Sequence, residues 1–129
     1  KEIRVIGEGG NLKMVDGVLF HKDMTRLVWC SKNKSGSYEI PHTVKAIDAC
    51  AFSRCTVLTS VTIPDSLTEI AYGTFSNCSG LERVTIPQSI TSIGEYAFDK
   101  CIGLETVFIP EGLEYHSNSF PEETTIIRY

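Results

Sequence analysis

CSGLERVTIP, Cys78–Pro87, decides the fold, because the chain writes it three times. CTVLTSVTIP precedes it at Cys55–Pro64, and CIGLETVFIP follows it at Cys101–Pro110. Working outward, Pro41, Pro64, Pro87 and Pro110 stand 23 residues apart. Three positions after each proline come Val44, Leu67, Ile90 and Leu113, and six after come Ile47, Ile70 and Ile93, then His116. Further columns hold Phe52, Phe75 and Phe98, then Cys55, Cys78 and Cys101, then Leu58, Leu81 and Leu104. Val61, Val84 and Val107 follow, and Ile63, Ile86 and Ile109 close the unit. Eight of 23 positions match in kind through three full repeats, which chance does not produce.

A fixed period in the twenties marks a solenoid, in which each unit buries its apolar face only against its neighbours. Within LxxVxI, Val and Ile lie two apart and share one face of a short strand. The residues between them, Thr62, Thr85 and Phe108, then point outward. Proline ends the strand because it has no N–H for a ladder. The two apolar residues that follow, such as Leu67 and Ile70, suit a second short extended segment. FxxC suits one helical or 3₁₀ turn with both side chains facing inward.

The full pattern, IPxxLxxIxxxAFxxCxxLxxVxIP, resembles the BspA-like leucine-rich repeats of bacterial surface proteins. The match is close from Pro41 to Pro110; in the last turn Phe120 falls one residue early and the cysteine is missing. The resemblance implies a right-handed, curved solenoid, secreted or at the cell surface, that works by adhesion or protein binding. The expected class is therefore an α/β repeat, mainly β: a right-handed leucine-rich-repeat solenoid with short strands, one-turn helices and an N-terminal β-hairpin. One domain, 1–129, is expected, with an irregular region 1–40, three full repeats over 41–109 and a degenerate repeat over 110–129.

The two ends depart from the period. LKMVDGVLF alternates around Asp16-Gly17, a good turn dipeptide. VLF and LVWC flank HKDMTR, which reads as a hairpin with a polar tip. Residues 3–6 read as the strand of a preceding rung, so the array is expected to begin before Lys1 in a longer parent protein. TTIIRY reads as a last strand. Trp29 shares the face of Leu27 by alternation and is expected in the core.

Composition narrows the function. The chain has 129 residues, 42% hydrophobic, with a net charge of −4. That balance, with 12 scattered Lys and Arg residues, argues against nucleic acid as a partner. No apolar run approaches the roughly 18 residues of a membrane span. Five cysteines, an odd count, leave at least one thiol unpaired within the chain. Cys55, Cys78 and Cys101 follow the repeat and read as buried small hydrophobes. Cys50 is near enough to Cys55 to bridge, but nothing demands it.

The sequence carries no constellation of catalytic residues. IRVIGEGGN places Gly7 and Gly9 as in a dinucleotide fingerprint, but Leu12 replaces the third glycine and no helix follows. His21, His42 and His116 have no partner at a metal-ligand spacing, and His116 marks the end of the core pattern. There is no GxSxG elbow, and Glu122-Glu123 has no second partner. The sequons at Asn33 and Asn77 read as chance matches. No catalytic, cofactor-binding or metal-ligating residue is assigned, and an enzyme is not expected.

What remains is the outward strand face. Its candidate binding residues are Ser60, Thr62, Arg83, Thr85, Thr106 and Phe108. Solenoids use such faces as extended binding surfaces, and an exposed aromatic such as Phe108 suits an anchor. Against that, Phe108 has the alternative of packing on Tyr115 or Tyr129. The expected function is a binding or adhesion module for a protein, including a host extracellular-matrix protein, or for a glycan. The alternative is a structural spacer within a larger surface protein.

Overall fold

A computed structural model describes residues 11–129. The strand expected at 3–6 and the Gly7–Gly9 loop lie outside the described residues. Among the described residues eleven strands run in order: β1 Leu12–Val15, β2 Val18–His21, β3 Arg26–Cys30, β4 Gly36–Glu39, β5 Ala46–Ile47, β6 Leu58–Thr62, β7 Glu69–Ile70, β8 Arg83–Thr85, β9 Ser92–Ile93, β10 Thr106–Ile109 and β11 Thr125–Arg128.

The N-terminal meander forms as its turn residues dictate. β1 and β2 pair antiparallel, with Val15 opposite Val18. Asp16 and Gly17 both take positive φ, 48° and 83°, as a two-residue hairpin with the twist of its strands requires. β2 pairs antiparallel with β3 across the polar tip, where the Asp23 carboxylate accepts bonds from the Thr25 N–H at 3.0 Å and hydroxyl at 2.8 Å. β3 then pairs in parallel with β5 and joins the meander to the stack.

The expectation for Trp29 is corrected here. It is half-buried and lies outside the core. A bulge in the β2–β3 pairing sets Leu19 against Trp29 but Phe20 against Leu27. An extra residue rephases the alternation, so Leu27 and Cys30 are buried while Val28 and Trp29 between them are half-covered.

Beyond Gly36 the chain winds as a solenoid of about 23 residues per turn. One column of strands holds β4, β6, β8, β10 and β11; a second holds β5, β7 and β9. All solenoid pairings are parallel, and β10 places Val107 on Val84 and Phe108 on Thr85 one turn earlier. The inward side chains of each column are buried: Leu58, Val61 and Ile63, then Leu81, Val84 and Ile86, then Leu104, Val107 and Ile109.

Inside the stack runs a line of aromatic rings. Phe52 and Phe75 have centroids 4.9 Å apart, Phe75 and Phe98 5.1 Å, and Phe98 and Phe120 5.2 Å. That repeat is close to the spacing of hydrogen-bonded strands, so backbone ladder and rings advance together. Phe120 keeps its place although its position in the sequence is one residue early. The loop before it is one residue shorter, and the Ser119 carbonyl still accepts the Phe98 N–H at 2.7 Å.

The helical turns expected at FxxC are absent from the described residues, and the fold is mainly β. The one-turn bonds do form, as from Cys78 N–H to the Phe75 carbonyl at 3.3 Å. Left-handed residues interrupt them: Cys50, Gly73 and Tyr96 in one column, at φ 61°, 59° and 59°, and Arg54, Asn77 and Lys100 in another, at 66°, 61° and 60°. A residue at positive φ cannot continue a right-handed helix, so the segment becomes successive turns. Their outward N–H groups bond to the next rung instead, as from Phe52 to Thr74 O and from Phe75 to Ala97 O, both at 2.8 Å.

The cysteine column completes the interior. Cys55, Cys78 and Cys101 are fully buried and unbridged, as is Cys30; Cys50 is exposed and also free. The Cys78 thiol donates to the Phe52 carbonyl and the Cys101 thiol to the Phe75 carbonyl, both at 3.0 Å. The Cys101 thiol beside it, and then burial, push the Cys78 thiol far above its usual range.

Candidate functional site

The strand face is built from the residues that alternate with the core. Thr62, Arg83 and Thr85 are exposed, and Ser60 is half-buried. These four come together around one cleft of about 650 Å³ between β6 and β8. Thr106 and Phe108 are half-buried on β10, one strand further along. Phe108 stands between Thr85 and Ile127 in register, and it forms no ring pair with Tyr115 or Tyr129.

The cleft exists because the strand column is interrupted. β4 pairs with β6, and β8 pairs with β10, which pairs in turn with β11, but no main-chain bond joins β6 to β8 among the described residues. Three isoleucines at one position of the repeat make this plain. The Ile40 N–H donates to Thr62 O at 3.1 Å, and the Ile86 N–H donates to Phe108 O at 2.8 Å. The equivalent bond from Ile63 to Thr85 is not made. Ile63, Val61 and Thr85 therefore border an open seam with main-chain groups that the ladder would otherwise use. Below the seam the stack stays closed: the Phe52 N–H donates to Thr74 O at 2.8 Å, the Arg54 N–H to Ser76 O at 2.9 Å, and the Phe52 and Phe75 rings stack across the same two turns.

Proline shapes the upper edge of this face. In the ladder the Ile109 carbonyl accepts the Tyr129 N–H at 2.9 Å. One turn earlier the Ile86 carbonyl faces Pro110, which has no N–H to offer. The Tyr129 hydroxyl fills the vacancy, donating to Ile86 O at 2.6 Å. Its side chain thereby crosses β10 and closes one side of the cleft. Asp65, Gln88 and Ser89 complete the rim, and the buried Ser89 hydroxyl has no partner among the described residues.

Alternation in the sequence places Ser60, Thr62, Arg83 and Thr85 on the outward face, and the cleft adds Tyr129 and the rim, which the sequence reading did not include. A signal was present: Tyr129 follows Arg128 where the earlier strands are followed by proline. The seam had none, because β6 and β8 carry the same LxxVxI pattern as their paired neighbours.

The cleft offers hydrogen-bonding groups with one cation, Arg83, and one anion, Asp65. Among the described residues no group of three His, Cys, Asp or Glu side chains is placed to hold a metal ion. No described helix is long and apolar enough to cross a membrane.

Fold and face together define a leucine-rich-repeat solenoid, a repeat architecture of general use in protein interaction. The sequence signature of the BspA type leucine-rich repeat region matches residues 28–128 in 6 copies, and the chain belongs to that family. Among solved structures it is similar to a leucine-rich repeat protein from Eubacterium ventriosum, with 31% identity and a TM-score of 0.75 over 79% of this chain and 28% of that one. It shares its fold with a leucine-rich cell surface protein from Faecalibacterium prausnitzii, with 22% identity and a TM-score of 0.77 over 92% of this chain and 39% of that one. The pneumococcal vaccine antigen PcpA has the fold as well, at 18% identity and a TM-score of 0.68 over 93% of this chain and 37% of that one. The chain thus spans 28% to 39% of the length of these three structures. A search of curated proteins gave no match.

Proposed function

We propose that the chain is a non-enzymatic protein-binding module of a bacterial surface or secreted protein, and that its strand face receives the partner at the seam between β6 and β8. The observation that carries this reading is the seam itself. An unpaired row of main-chain groups beside Thr62, Arg83 and Thr85 offers donors and acceptors that an extended segment of another protein can satisfy. The unpartnered Ser89 hydroxyl supports it, since buried polar groups ordinarily have partners. The cell-surface description of the Faecalibacterium protein supports the placement.

The test is a binding screen of the folded domain against extracellular-matrix and other extracellular proteins. Thr85→Arg and Phe108→Ala are run beside the native chain. Thr85→Arg fills the seam from an exposed position and is expected to abolish a specific hit; Phe108→Ala tests the neighbouring strand as a second contact. A specific hit indifferent to both variants places the binding surface elsewhere. No hit from a well-folded domain favours a spacer.

A further inference from the structure

The lysines and arginines show no clustering along the sequence, but the solenoid gathers some of them. Arg54, Asn77 and Lys100 occupy one position of the repeat and one left-handed conformation, with φ of 66°, 61° and 60°. Their side chains leave the stack one per rung, along a line that advances about 4.8 Å per turn. Lys32, in the loop after β3, extends the line. Lys32, Arg54 and Lys100 border a single cleft of about 520 Å³ that shares no residue with the strand-face cleft.

All three cations are exposed, and none makes an ion pair among the described residues. The pairs that do form are Arg26–Asp48 at 2.6 Å and His42–Glu39 at 3.9 Å, both away from this cleft. Thr56, Asn77 and Ser79 add hydroxyl and amide groups between the charges. Ile102, 83% exposed, supplies an apolar contact. The row has a defined end. Phe120 stacks on Phe98, so the rung after Lys100 carries Glu122, an acidic residue.

We propose that this cleft binds a linear sulfated polysaccharide. Cations one rung apart at Lys32 and Arg54 and two rungs apart at Arg54 and Lys100 suit anionic groups strung along a linear polymer. Hydroxyl and amide side chains between them suit sugar hydroxyls. No aromatic side chain borders the cleft, so it lacks the stacking platform by which proteins hold single-stranded nucleic acid. The net charge of −4 opposes general attraction to a polyanion, so binding would report this local row.

The experiment is titration of the domain onto immobilised heparin over a range of salt concentrations. The variant carries Lys32→Asn, Arg54→Asn and Lys100→Asn; asparagine already stands in this column at Asn77 and tolerates the left-handed conformation. The native domain is expected to bind. The triple variant should keep its melting temperature and lose at least about tenfold in affinity, with the salt slope falling by close to one per cation removed. Lys22→Gln, at the hairpin tip, should bind as the native chain does. Four results overturn the proposal: no binding by the native domain, equal binding by the triple variant, equal binding to desulfated heparin, or tighter binding to single-stranded DNA.

Discussion

The Tyr129 hydroxyl donates a 2.6 Å hydrogen bond to the Ile86 carbonyl, two strands away across β10. That carbonyl lost its ladder donor to Pro110. Tyr129→Phe keeps the ring and removes the bond. The expected cost is about 1 kcal/mol, read as a fall of a few degrees in Tm. An unchanged melt would show that water serves the carbonyl equally well.

Leu81 and Thr85 lie four residues apart and test the register. Leu81 is wholly buried and Thr85 exposed. Leu81→Asp sets a carboxylate inside the stack with no partner and should unfold the domain. Thr85→Asp should shift the melt by less than about 0.5 kcal/mol. Circular dichroism melts of the two variants decide the matter, and equal stability would contradict the register.

Gly80 and Gly103 set how closely the turns approach. A Cβ on Gly80 would lie 2.6 Å from Thr56 O, and one on Gly103 would lie 2.5 Å from Ser79 O. Both obstacles are backbone, so the rungs must part. Gly80→Ala is expected to destabilise by about 1–3 kcal/mol, in the range for overpacking. A denaturant titration checks it.

The thiols should divide by burial. Cys50 is exposed, and Cys30, Cys55, Cys78 and Cys101 are buried. A thiol reagent at neutral pH should modify Cys50 at once and the other four only as the domain opens. Cys50→Ser should abolish the fast phase. Rapid reaction of Cys78 or Cys101 would contradict the stacked interior.

Alkaline pH probes the start of the solenoid. Burial pushes the Tyr38 phenol up to about 12; an ordinary tyrosine titrates near about 10. The fold thus favours the neutral phenol. That contribution is complete below about pH 10 and is lost as pH rises toward 12. Tyr38→Phe should flatten this part of the stability profile, as followed by melts across the alkaline range.

The sequence carries the stack well and its exceptions poorly. Periodicity alone places Phe52, Phe75 and Phe98 in one column, because every rung buries the same position. It misjudges the FxxC segment, since a spacing of three suits a 3₁₀ turn as well as the left-handed turns at Arg54, Asn77 and Lys100. It misjudges Trp29, because a bulge leaves no mark in a strand's composition. The strand-face cleft is half legible. Alternation finds Thr62 and Thr85, but whether two strands pair or part depends on backbone geometry that identical motifs do not encode. The basic cleft is invisible in one dimension, since Lys32, Arg54 and Lys100 meet only when turns stack.

The most direct test of the open seam is amide hydrogen exchange at Ile40, Ile63 and Ile86, three residues in one position of the repeat. Ile40 and Ile86 donate to the neighbouring turn and Ile63 does not. With the seam open, the Ile63 amide exchanges faster than the other two by on the order of a hundredfold or more. Equal protection at all three would mean that β6 and β8 are paired in solution, and the strand-face cleft would not exist.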